Sequence, residues 1–423
     1  MDWLVPSSRP GSSRPRAAVW ALVALVLALA GGLPAGASAA GGGALHRALA
    51  SAMRTVGSGS GAYVYDLTTG RTLFAAREQT PRSPASVEKL YTTTTALLRF
   101  GPDATLTTEV LGSGTVQPGG VFQGDLYLKG AGDPTFGSAA FVHRSYGTGA
   151  TVEALASQLS GQGITRVAGK VIGDESLFDS RRGEPSSGYR PDPLLTGTLS
   201  ALAFDRGESA PAPDPATLAA EKLAGALRQD GVTVAGRAGS GQTPAGAIEL
   251  AHVDSPPMGT LVKLTNENSD NFFAEMLLKG LGARFGQDGS TQAGASVVRA
   301  QAARFALHPR VVDGSGLSAV DHTSPRDVVR LLSAAHGLSI GRDLEDSLAV
   351  AGRTGTLATR MRGTPAQGHC HAKTGTLIDV SALAGYCTAT SGDQIAFAFL
   401  MNRVNVTTAR IAQDHMTEAV ARS

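Results

Sequence analysis

Stretches in which apolar and polar residues alternate predict several β-strands in this chain. Residues 61–74 alternate about a turn at residues 68–70, which is typical of a β-hairpin. Residues 370–377 and 380–387 predict two more strands around a tight turn, and residues 395–401 predict a third strand after them. Strand signals of this kind therefore lie near both ends of the chain.

Helices are predicted around these strands. A helix is expected from Ser86 to about Leu98, because Pro84 precedes it and a hydroxyl residue lies in its first turn. The same pattern of start signals and one-sided apolar residues predicts further helices at residues 271–279, 325–335 and 407–421.

A long glycine-rich stretch with many strand signals separates the first predicted helix from the later ones. Ser86 and Ser269, which begin two of the motifs described below, stand much further apart than Ser269 and Lys373. A compact α/β unit would not need so long a connection between groups that must meet. We therefore infer an inserted module at residues 106–247, mostly β. Within it we expect helices near residues 151–159 and 216–227 and a proline-rich loop at residues 209–215.

Residues 1–39 are predicted to be a signal peptide. Arginines precede an apolar run at residues 17–33, and Ala37-Ser38-Ala39 has the small-x-small pattern of a signal-peptidase site. We therefore expect an exported protein whose mature chain begins near Ala40. An uncleaved membrane anchor stays an alternative, because the apolar run is only slightly shorter than a membrane span. Peripheral association with a membrane also stays open.

The composition is that of an ordinary globular protein, with 42% hydrophobic and 17% charged residues and a net charge of +2. A chain of 423 residues is expected to form two or three domains. No basic run or basic-aromatic patch indicates nucleic-acid binding. The histidines show no metal-binding spacing such as H-E-x-x-H, and no glycine-rich loop carries a P-loop lysine. No metal and no cofactor are therefore expected.

The chain has two cysteines, Cys370 and Cys387. If residues 370–377 and 380–387 pair about a turn at Ile378 and Asp379, the two cysteines stand directly opposite each other. Export places them in an oxidising compartment, where a disulfide is expected. The alternative of two buried free thiols is less favoured. A disulfide here would hold the strand that carries Lys373.

Three short motifs suggest one chemistry: Ser86-Val87-Glu88-Lys89, Ser269-Asp270-Asn271 and Lys373-Thr374-Gly375. A serine three residues before a lysine on a helix puts the hydroxyl and the amine on one face. A serine hydroxyl needs a neighbouring base, and a lysine amine can serve when burial beside a second cation keeps it neutral. Motifs of these three types occur together in penicillin-binding proteins and class A β-lactamases.

This pattern assigns a role to each motif residue. Ser86 would be the acylated nucleophile, Lys89 its base, and Ser269 a relay of the proton to the leaving nitrogen. Asn271 would bind the substrate backbone. Lys373, Thr374 and Thr376 would bind a terminal carboxylate, with Gly375 allowing close approach. The backbone N–H groups of Ser86 and Thr376 would form the oxyanion hole.

Each motif is weak when it is taken alone. Ser269-Asp270-Asn271 could simply cap the helix that follows. Arg353-Thr354-Gly355 is a near-copy of Lys373-Thr374-Gly375. We prefer the Lys373 copy, which has the strand pattern and the cysteine pair, and interpret the Arg353 copy as a structural turn. His369 and His371 flank Cys370, but a cysteine held in a disulfide cannot bind zinc.

Because it carries these three motifs in this order, the chain resembles the class C low-molecular-mass penicillin-binding proteins, which are serine-type D-Ala-D-Ala carboxypeptidase/endopeptidases. The resemblance covers essentially the whole mature chain. Beyond the three motifs it rests on Pro84-Ala85-Ser86, on the run from Gly130 to Thr135, on the run from Asp313 to Ser318, and on Ala351-Gly352 with Gly355-Thr356-Leu357. The long insertion between the first two motifs is also a trait of that family.

The resemblance implies an α/β (α+β) fold with a β-lactamase/transpeptidase-like catalytic domain, in which helices flank an antiparallel sheet. That domain would comprise residues 40–105 and 248–423, and the large mostly-β insertion at residues 106–247 would form two subdomains. The implied substrates are peptidoglycan stem peptides, and β-lactams would be covalent inhibitors.

Some members of the family recognise the third residue of the stem peptide through an acidic residue in the insertion. Asp179 matches that position here. Ala319 and Ile378 stand where the family often has an arginine and a polar residue, so the preference for that third residue stays open.

Two other functions compete with the peptidase. A serine β-lactamase would need a base for fast deacylation, and the length of the insertion argues against it. A catalytically silent envelope-binding protein could keep the fold, but the intact Ser86, Lys89, Ser269, Asn271 and Lys373 argue against silence.

Overall fold

Two β-sheets are formed by the residues that the computed structural model describes, 36–207 and 214–423. Their strands are, in chain order, β1 (Ser60–Asp66), β2 (Arg71–Ala76), β3 (Thr107–Gln117), β4 (Val121–Lys129), β5 (Arg166–Val167), β6 (Val171–Asp174), β7 (Thr233–Val234), β8 (Gly239–Ser240), β9 (Ile248–Asp254), β10 (Ala349–Val350), β11 (Cys370–Leu377), β12 (Val380–Thr388) and β13 (Gln394–Asn402).

Helices pack on both sheets. They are α1 (Gly36–Thr55), α2 (Lys89–Phe100), α3 (Ala139–Ser145), α4 (Val152–Gly161), α5 (Pro215–Gln229), α6 (Met258–Glu267), α7 (Asn271–Phe285), α8 (Thr291–Ala303), α9 (Pro325–His336), α10 (Gly341–Asp346) and α11 (Val406–Ala421). Several begin where the sequence supplies a capping side chain that accepts a hydrogen bond from the first turn. Asp270 caps α7, Ser324 caps α9 and Asn405 caps α11 in this way.

The first sheet has six antiparallel strands in the order β10-β11-β12-β13-β1-β2. Its two central strands β12 and β13 are buried on both faces. One face packs on helices α2 and α6–α9, and the other packs on α1 and α11. This layered antiparallel sheet confirms the predicted fold class, and β1–β2 is the predicted first hairpin.

Most of the second sheet lies within the predicted insertion. Strands β3, β4 and β9 form its antiparallel part, and β5–β8 add short parallel pairs. The predicted helices of this region are observed as α4 and α5, which share one apolar core with the sheet. Strand β9 runs from Ile248 to Asp254 and pairs with β3, so this sheet extends beyond the boundary expected at residue 247.

Two predicted segments fall partly or mainly on residues that the structure does not describe. The predicted signal peptide is described only from residue 36 onward, where α1 begins, and the proline-rich loop only from residue 214 onward. Among the described residues no helix has the length and apolar character needed to cross a membrane.

The predicted disulfide is confirmed. Strands β11 and β12 pair in the expected register, with Cys370 directly opposite Cys387, and the two sulfur atoms are bonded. Both cysteines are fully buried. Lys373 lies three positions after Cys370 on the same strand, so the bridge fixes the pairing of the strand that carries the third motif.

Removal of this bridge should lower the free energy of unfolding. The disulfide closes a loop with a sequence separation of 17, for which the restriction of the unfolded chain is worth about 3 kcal/mol. We expect a loss of that size in the Cys370→Ala/Cys387→Ala double variant, measured by urea unfolding. The same variant should be indifferent to reductant, which should destabilise the parent protein. Equal stability of the two proteins without reductant would contradict the prediction.

Candidate active site

Ser86 lies in a tight turn that precedes a helix. Residues Ala85–Glu88 form a 3₁₀ turn, and the α-helix α2 begins at Lys89, later than the sequence predicted. In a 3₁₀ turn the side chains at positions i and i+3 eclipse each other. The Lys89 Nζ therefore donates to Ser86 Oγ at 3.0 Å. Of residues 82–97, only Ser86 is not buried.

The residue before Ser86 is strained. Ala85 has a φ of +48°, in the left-handed region that a residue with a Cβ rarely adopts. It is fully buried, so the surrounding packing holds this conformation. Backbone strain of this kind costs about 1–3 kcal/mol and collects at functional sites. Ser269, the first residue of the second motif, has a similar φ of +60°.

Lys89 connects the first two motifs. Besides Ser86, its Nζ donates to Asn271 Oδ1 and to the carbonyl oxygen of Ser315, both at 2.7 Å. An ammonium group has three N–H donors, and all three are used. The structure thus brings Ser86, Lys89 and Asn271 together, while their catalytic and binding roles stay predictions. It adds the Ser315 carbonyl, which was not identified from the sequence.

Burial makes Lys89 a better base. The side chain is fully buried, and this burial lowers the pKa of Lys89 to about 8, although the charges of Asp313 and Glu275 oppose the fall. The sequence argument assigned this effect partly to Lys373. In the structure, repulsion between the two lysines lowers the pKa of Lys373 instead. Burial first, and then the charge of Lys89, lowers the pKa of Lys373 well below its usual value.

Strand β11 brings the third motif to Ser86. Lys373 and Gly375 share one face of the strand, since side chains alternate along it. A Cβ on Gly375 would lie 2.6 Å from the Pro84 carbonyl oxygen and 3.1 Å from the Ser86 nitrogen, so only glycine fits without displacement. Lys373 is fully buried, and its Nζ donates to the Thr374 carbonyl oxygen at 2.8 Å.

The two threonines of the third motif are placed by side chains outside it. Thr374 Oγ1 is 2.9 Å from Thr356 Oγ1, in the near-copy motif, which forms a 3₁₀ turn as predicted. Thr376 is exposed, and its hydroxyl accepts a hydrogen bond from Arg410 Nη2 at 3.0 Å. Arg410, on helix α11, was not identified from the sequence.

The second motif is tied to the insertion by a buried ion pair. Arg206 Nη1 and Nη2 lie 2.7 and 3.1 Å from the two carboxylate oxygens of Asp270. The same carboxylate caps helix α7 by accepting from the Phe273 nitrogen. Among the described residues the Ser269 hydroxyl makes no hydrogen bond, so its predicted role as a proton relay stays a prediction. Arg206 was not identified from the sequence, because its partner is distant in the chain.

Asn271 also contacts the insertion. While its Oδ1 accepts from Lys89, its Nδ2 donates to the Leu194 carbonyl oxygen at 2.7 Å. Leu194 belongs to a loop of the insertion, and its side chain is 65% exposed. One of the two N–H donors of the amide that was predicted to bind the substrate backbone is therefore occupied by a backbone carbonyl of the protein itself.

Buried carboxyl groups lie behind Lys89. Glu275 Oε1 accepts from the backbone nitrogens of Gly314 and Ser315 at 2.9 and 2.8 Å, and so fixes the loop whose carbonyl binds Lys89. Burial raises the pKa of Glu275 to about 8, with a further rise from the charge of Asp313. Burial also raises the pKa of Glu88 well above its usual value. Glu275 was not identified from the sequence, although a charged residue on the largely apolar helix α7 was a signal that could have indicated it.

Asp179 lies apart from this cluster. Its carboxylate pairs with the buried Lys279 Nζ at 2.5 Å, two turns along α7 from Asn271. The structure thus shows Asp179 joining the insertion to α7, and its predicted part in substrate recognition stays a prediction. Within the two described ranges, no group of three or more His, Cys, Asp or Glu side chains could hold a metal ion.

The arrangement is that of an acylating serine enzyme. A partly exposed hydroxyl contacts a buried amine of lowered pKa, and a strand with an exposed threonine passes beside it. The crystal structure of penicillin-binding protein 4 (dacB) from Haemophilus influenzae has the same fold, with a TM-score of 0.75 at 20% identity, over 89% of this chain and 99% of that one. The fold is therefore transpeptidase-like.

Sequence comparison gives the family. The D-Ala-D-Ala carboxypeptidase 3 (S13) family matches residues 43–193 and 192–423. The chain is 31% identical to carboxypeptidase DacB of Mycolicibacterium smegmatis, over 85% of this chain and 79% of that protein. It is 29% identical to a D-alanyl-D-alanine carboxypeptidase of Actinomadura sp. (strain R39), over 93% of this chain and 87% of that protein. The chain belongs to the S13 family of serine peptidases, as the motifs predicted.

The Arg206–Asp270 pair should matter for stability. Asp270→Asn keeps a capping side chain but leaves the Arg206 guanidinium buried without its carboxylate. Removal of one partner of a buried pair costs about 3 kcal/mol, and we expect a loss of that size in chemical unfolding. Asp346→Asn is the matched control, because the Arg342–Asp346 pair is 92% and 60% exposed and should contribute at most about 1 kcal/mol. Equal effects of the two substitutions would refute the expectation.

Proposed function

We propose that this protein is a D-alanyl-D-alanine carboxypeptidase/endopeptidase that acts on peptidoglycan stem peptides through an acyl-enzyme on Ser86. The observation that carries the proposal is the 3.0 Å hydrogen bond between Ser86 Oγ and a fully buried Lys89 Nζ. The pKa of that amine is lowered to about 8. A fraction of the enzyme then holds a neutral amine at neutral pH, which is what a general base requires.

Acylation begins with the loss of the Ser86 proton to neutral Lys89. The Ser86 oxygen attacks the carbonyl carbon of the penultimate D-alanine, and the N–H groups of Ser86 and Thr376 stabilise the negative oxygen. Ser269 relays the proton from Lys89 to the leaving nitrogen, and the carbon–nitrogen bond breaks. The products of this step are free D-alanine and an ester of Ser86.

Hydrolysis of the ester completes the cycle. Lys89 is again the base and takes a proton from water, and the hydroxide adds to the ester carbonyl. The peptide leaves with a new carboxylate, and Ser86 regains its proton. A β-lactam would enter the same path, but the opened ring stays attached to Ser86 and blocks the site.

Substrate binding involves all three motifs. Asn271 binds the stem peptide backbone, and Lys373, Thr374 and Thr376 bind the carboxylate that follows the scissile bond. Gly375 lets that strand approach Ser86 closely. Asp179 is proposed to act on the third residue of the stem peptide. The catalytic domain would comprise residues 40–105 and 255–423, with the inserted module extended to β9.

The proposed place of action is outside the cytoplasm. A signal peptide at residues 1–39 would export the chain to the cell envelope or beyond, where its substrate lies. The buried Cys370–Cys387 disulfide supports this proposal, because such bonds persist in oxidising compartments.

The substitution Ser86→Ala tests the nucleophile. Incubation of the parent protein with benzylpenicillin should add one drug mass, mapped to Ser86 by peptide mass spectrometry. The variant should show no adduct, because it lacks the attacking oxygen, while its melting temperature stays close to that of the parent. Ser83→Ala is a matched control in the same segment and should keep the adduct.

The outcomes separate the competing functions. A benzylpenicillin adduct on the Ser86→Ala variant would refute the assignment of Ser86 as the nucleophile. Rapid destruction of the drug without a lasting adduct on the parent would indicate a β-lactamase. A parent protein that neither binds nor destroys the drug, and that releases no D-alanine from stem peptides, would be a silent binding protein.

The rate of acylation should depend on pH through Lys89. Its pKa of about 8 means that the neutral, active form grows as pH rises toward 8. The second-order rate constant for benzylpenicillin should rise roughly tenfold per pH unit between pH 6 and 7.5, and level off above about pH 8.5. Stopped-flow or quenched labelling across this range measures it. A flat profile would contradict the role of Lys89 as a base.

A further inference from the structure

Polar side chains recur at intervals of four residues along the otherwise largely apolar helix α7. Asn271, Glu275 and Lys279 therefore share one face of the helix. Asn271 binds Lys89, and Lys279 binds Asp179. Glu275 lies between them and is fully buried. A glutamate is rarely buried in this way unless partners hold it, so the contacts of Glu275 indicate what it does.

Glu275 is joined to the proposed base through one residue of backbone. Its Oε1 accepts from the backbone nitrogens of Gly314 and Ser315 at 2.9 and 2.8 Å. The carbonyl oxygen of the same Ser315 accepts from Lys89 Nζ at 2.7 Å. The position of this acceptor beside the amine therefore depends on the carboxyl group behind it.

The turn at Gly314–Gly316 also packs against the segment that carries the nucleophile. A Cβ on Gly314 would lie 2.7 Å from the Ala274 carbonyl oxygen on α7. Gly316 has a φ of +75°, and a Cβ there would overlap the carbonyl oxygen of Ala85, the strained residue before Ser86. Because the turn fits between α7 and this residue without spare room, a displacement of the turn would disturb Ser86 as well as its base.

Glu275 can hold the turn without a charge. Burial, and then the charge of Asp313, raises the pKa of Glu275 to about 8, so most molecules carry the neutral carboxyl group at pH 7. Its carbonyl oxygen still accepts hydrogen bonds from both N–H groups. The other titratable groups that interact with Glu275 or Lys89 are Glu88, Glu184, Asp270, Lys279, Asp313 and Lys373.

We propose that Glu275 is a positioning residue of the acylation step, which acts through the backbone of Gly314 and Ser315 to hold Lys89 against Ser86. This inference rests on the proposed function. It assigns the effect to the accepting oxygen of Glu275 and not to its charge. An amide at position 275 should therefore replace the carboxyl group. An apolar side chain should not, because it leaves two buried N–H donors without an acceptor.

The test compares Glu275→Gln with Glu275→Leu by the second-order rate constant for acylation by benzylpenicillin across the pH range. Glu275→Leu should lower the plateau at high pH by roughly tenfold to a hundredfold, since a small misplacement of a reacting group costs this much. Glu275→Gln should keep the plateau within about twofold of the parent value. Its midpoint should move to lower pH, because the negative charge of Glu275 raises the pKa of Lys89 and the amide has no charge.

A second contact of the same turn gives an independent test if Glu275→Leu does not fold. Thr92 Oγ1, on α2, donates to the Gly314 carbonyl oxygen at 3.1 Å. Thr92→Val should lower the plateau by roughly threefold or more, and Thr92→Ser, which keeps the hydroxyl, should retain most of the parent rate. Tyr386→Phe is the control, because it removes a buried hydroxyl that binds the Leu332 carbonyl oxygen on α9, and it should leave the rate unchanged.

A folded Glu275→Leu variant with the parent's plateau would show that Glu275 only stabilises the fold. Equally slow Gln and Leu variants would show that its charge matters and not its accepting oxygen, and an unchanged plateau in Thr92→Val would show that the turn does not position the base. Each of these results overturns the inference and leaves the proposed function intact. A parent protein that is not acylated by benzylpenicillin and releases no D-alanine from stem peptides would instead overturn the proposed function, and this inference with it.

Discussion

The burial of one amine is the constraint on which the site depends. Lys89 has no exposed surface, yet its Nζ makes three hydrogen bonds, to a hydroxyl, an amide oxygen and a backbone carbonyl. None of these partners is a carboxylate, so the charged form gains no direct ion pair. A buried cation without such a pair is easily deprotonated. The same burial that weakens the ammonium therefore produces the base that Ser86 needs.

The groups around this amine come from distant parts of the chain. Ser86 lies before α2, Asn271 begins α7, and Ser315 belongs to a loop that Glu275 holds from behind. The insertion adds Arg206, which binds the Asp270 carboxylate beside Asn271. The insertion thus helps to hold the site in place, and substitutions in it should disturb the position of the second motif.

Local spacing explains what the sequence could predict. The Ser86–Lys89 contact needs only one turn, and the pairing of Cys370 with Cys387 needs only the position of a hairpin turn. Ser315, Arg206 and Arg410 could not be identified, because each meets the motifs through contacts between remote segments. The domain boundary expected at residue 247 stays a prediction, and the sequence alone could not assign β9 to a sheet for a similar reason. The pairing of β9 with β3, which joins residues far apart in the chain, decides to which sheet β9 belongs.

In the free protein, Asn271 already donates a hydrogen bond to the Leu194 carbonyl oxygen. The Asn271 amide has two N–H donors, and a stem peptide that takes the one bound to Leu194 exchanges a hydrogen bond for another of the same kind, with a direct gain close to zero. Discrimination between ligands then falls to groups that have no such partner in the free protein. The displaced loop would also be released, and it carries an exposed leucine. Substrate binding in the cleft would thereby change the conformation of an exposed loop of the insertion.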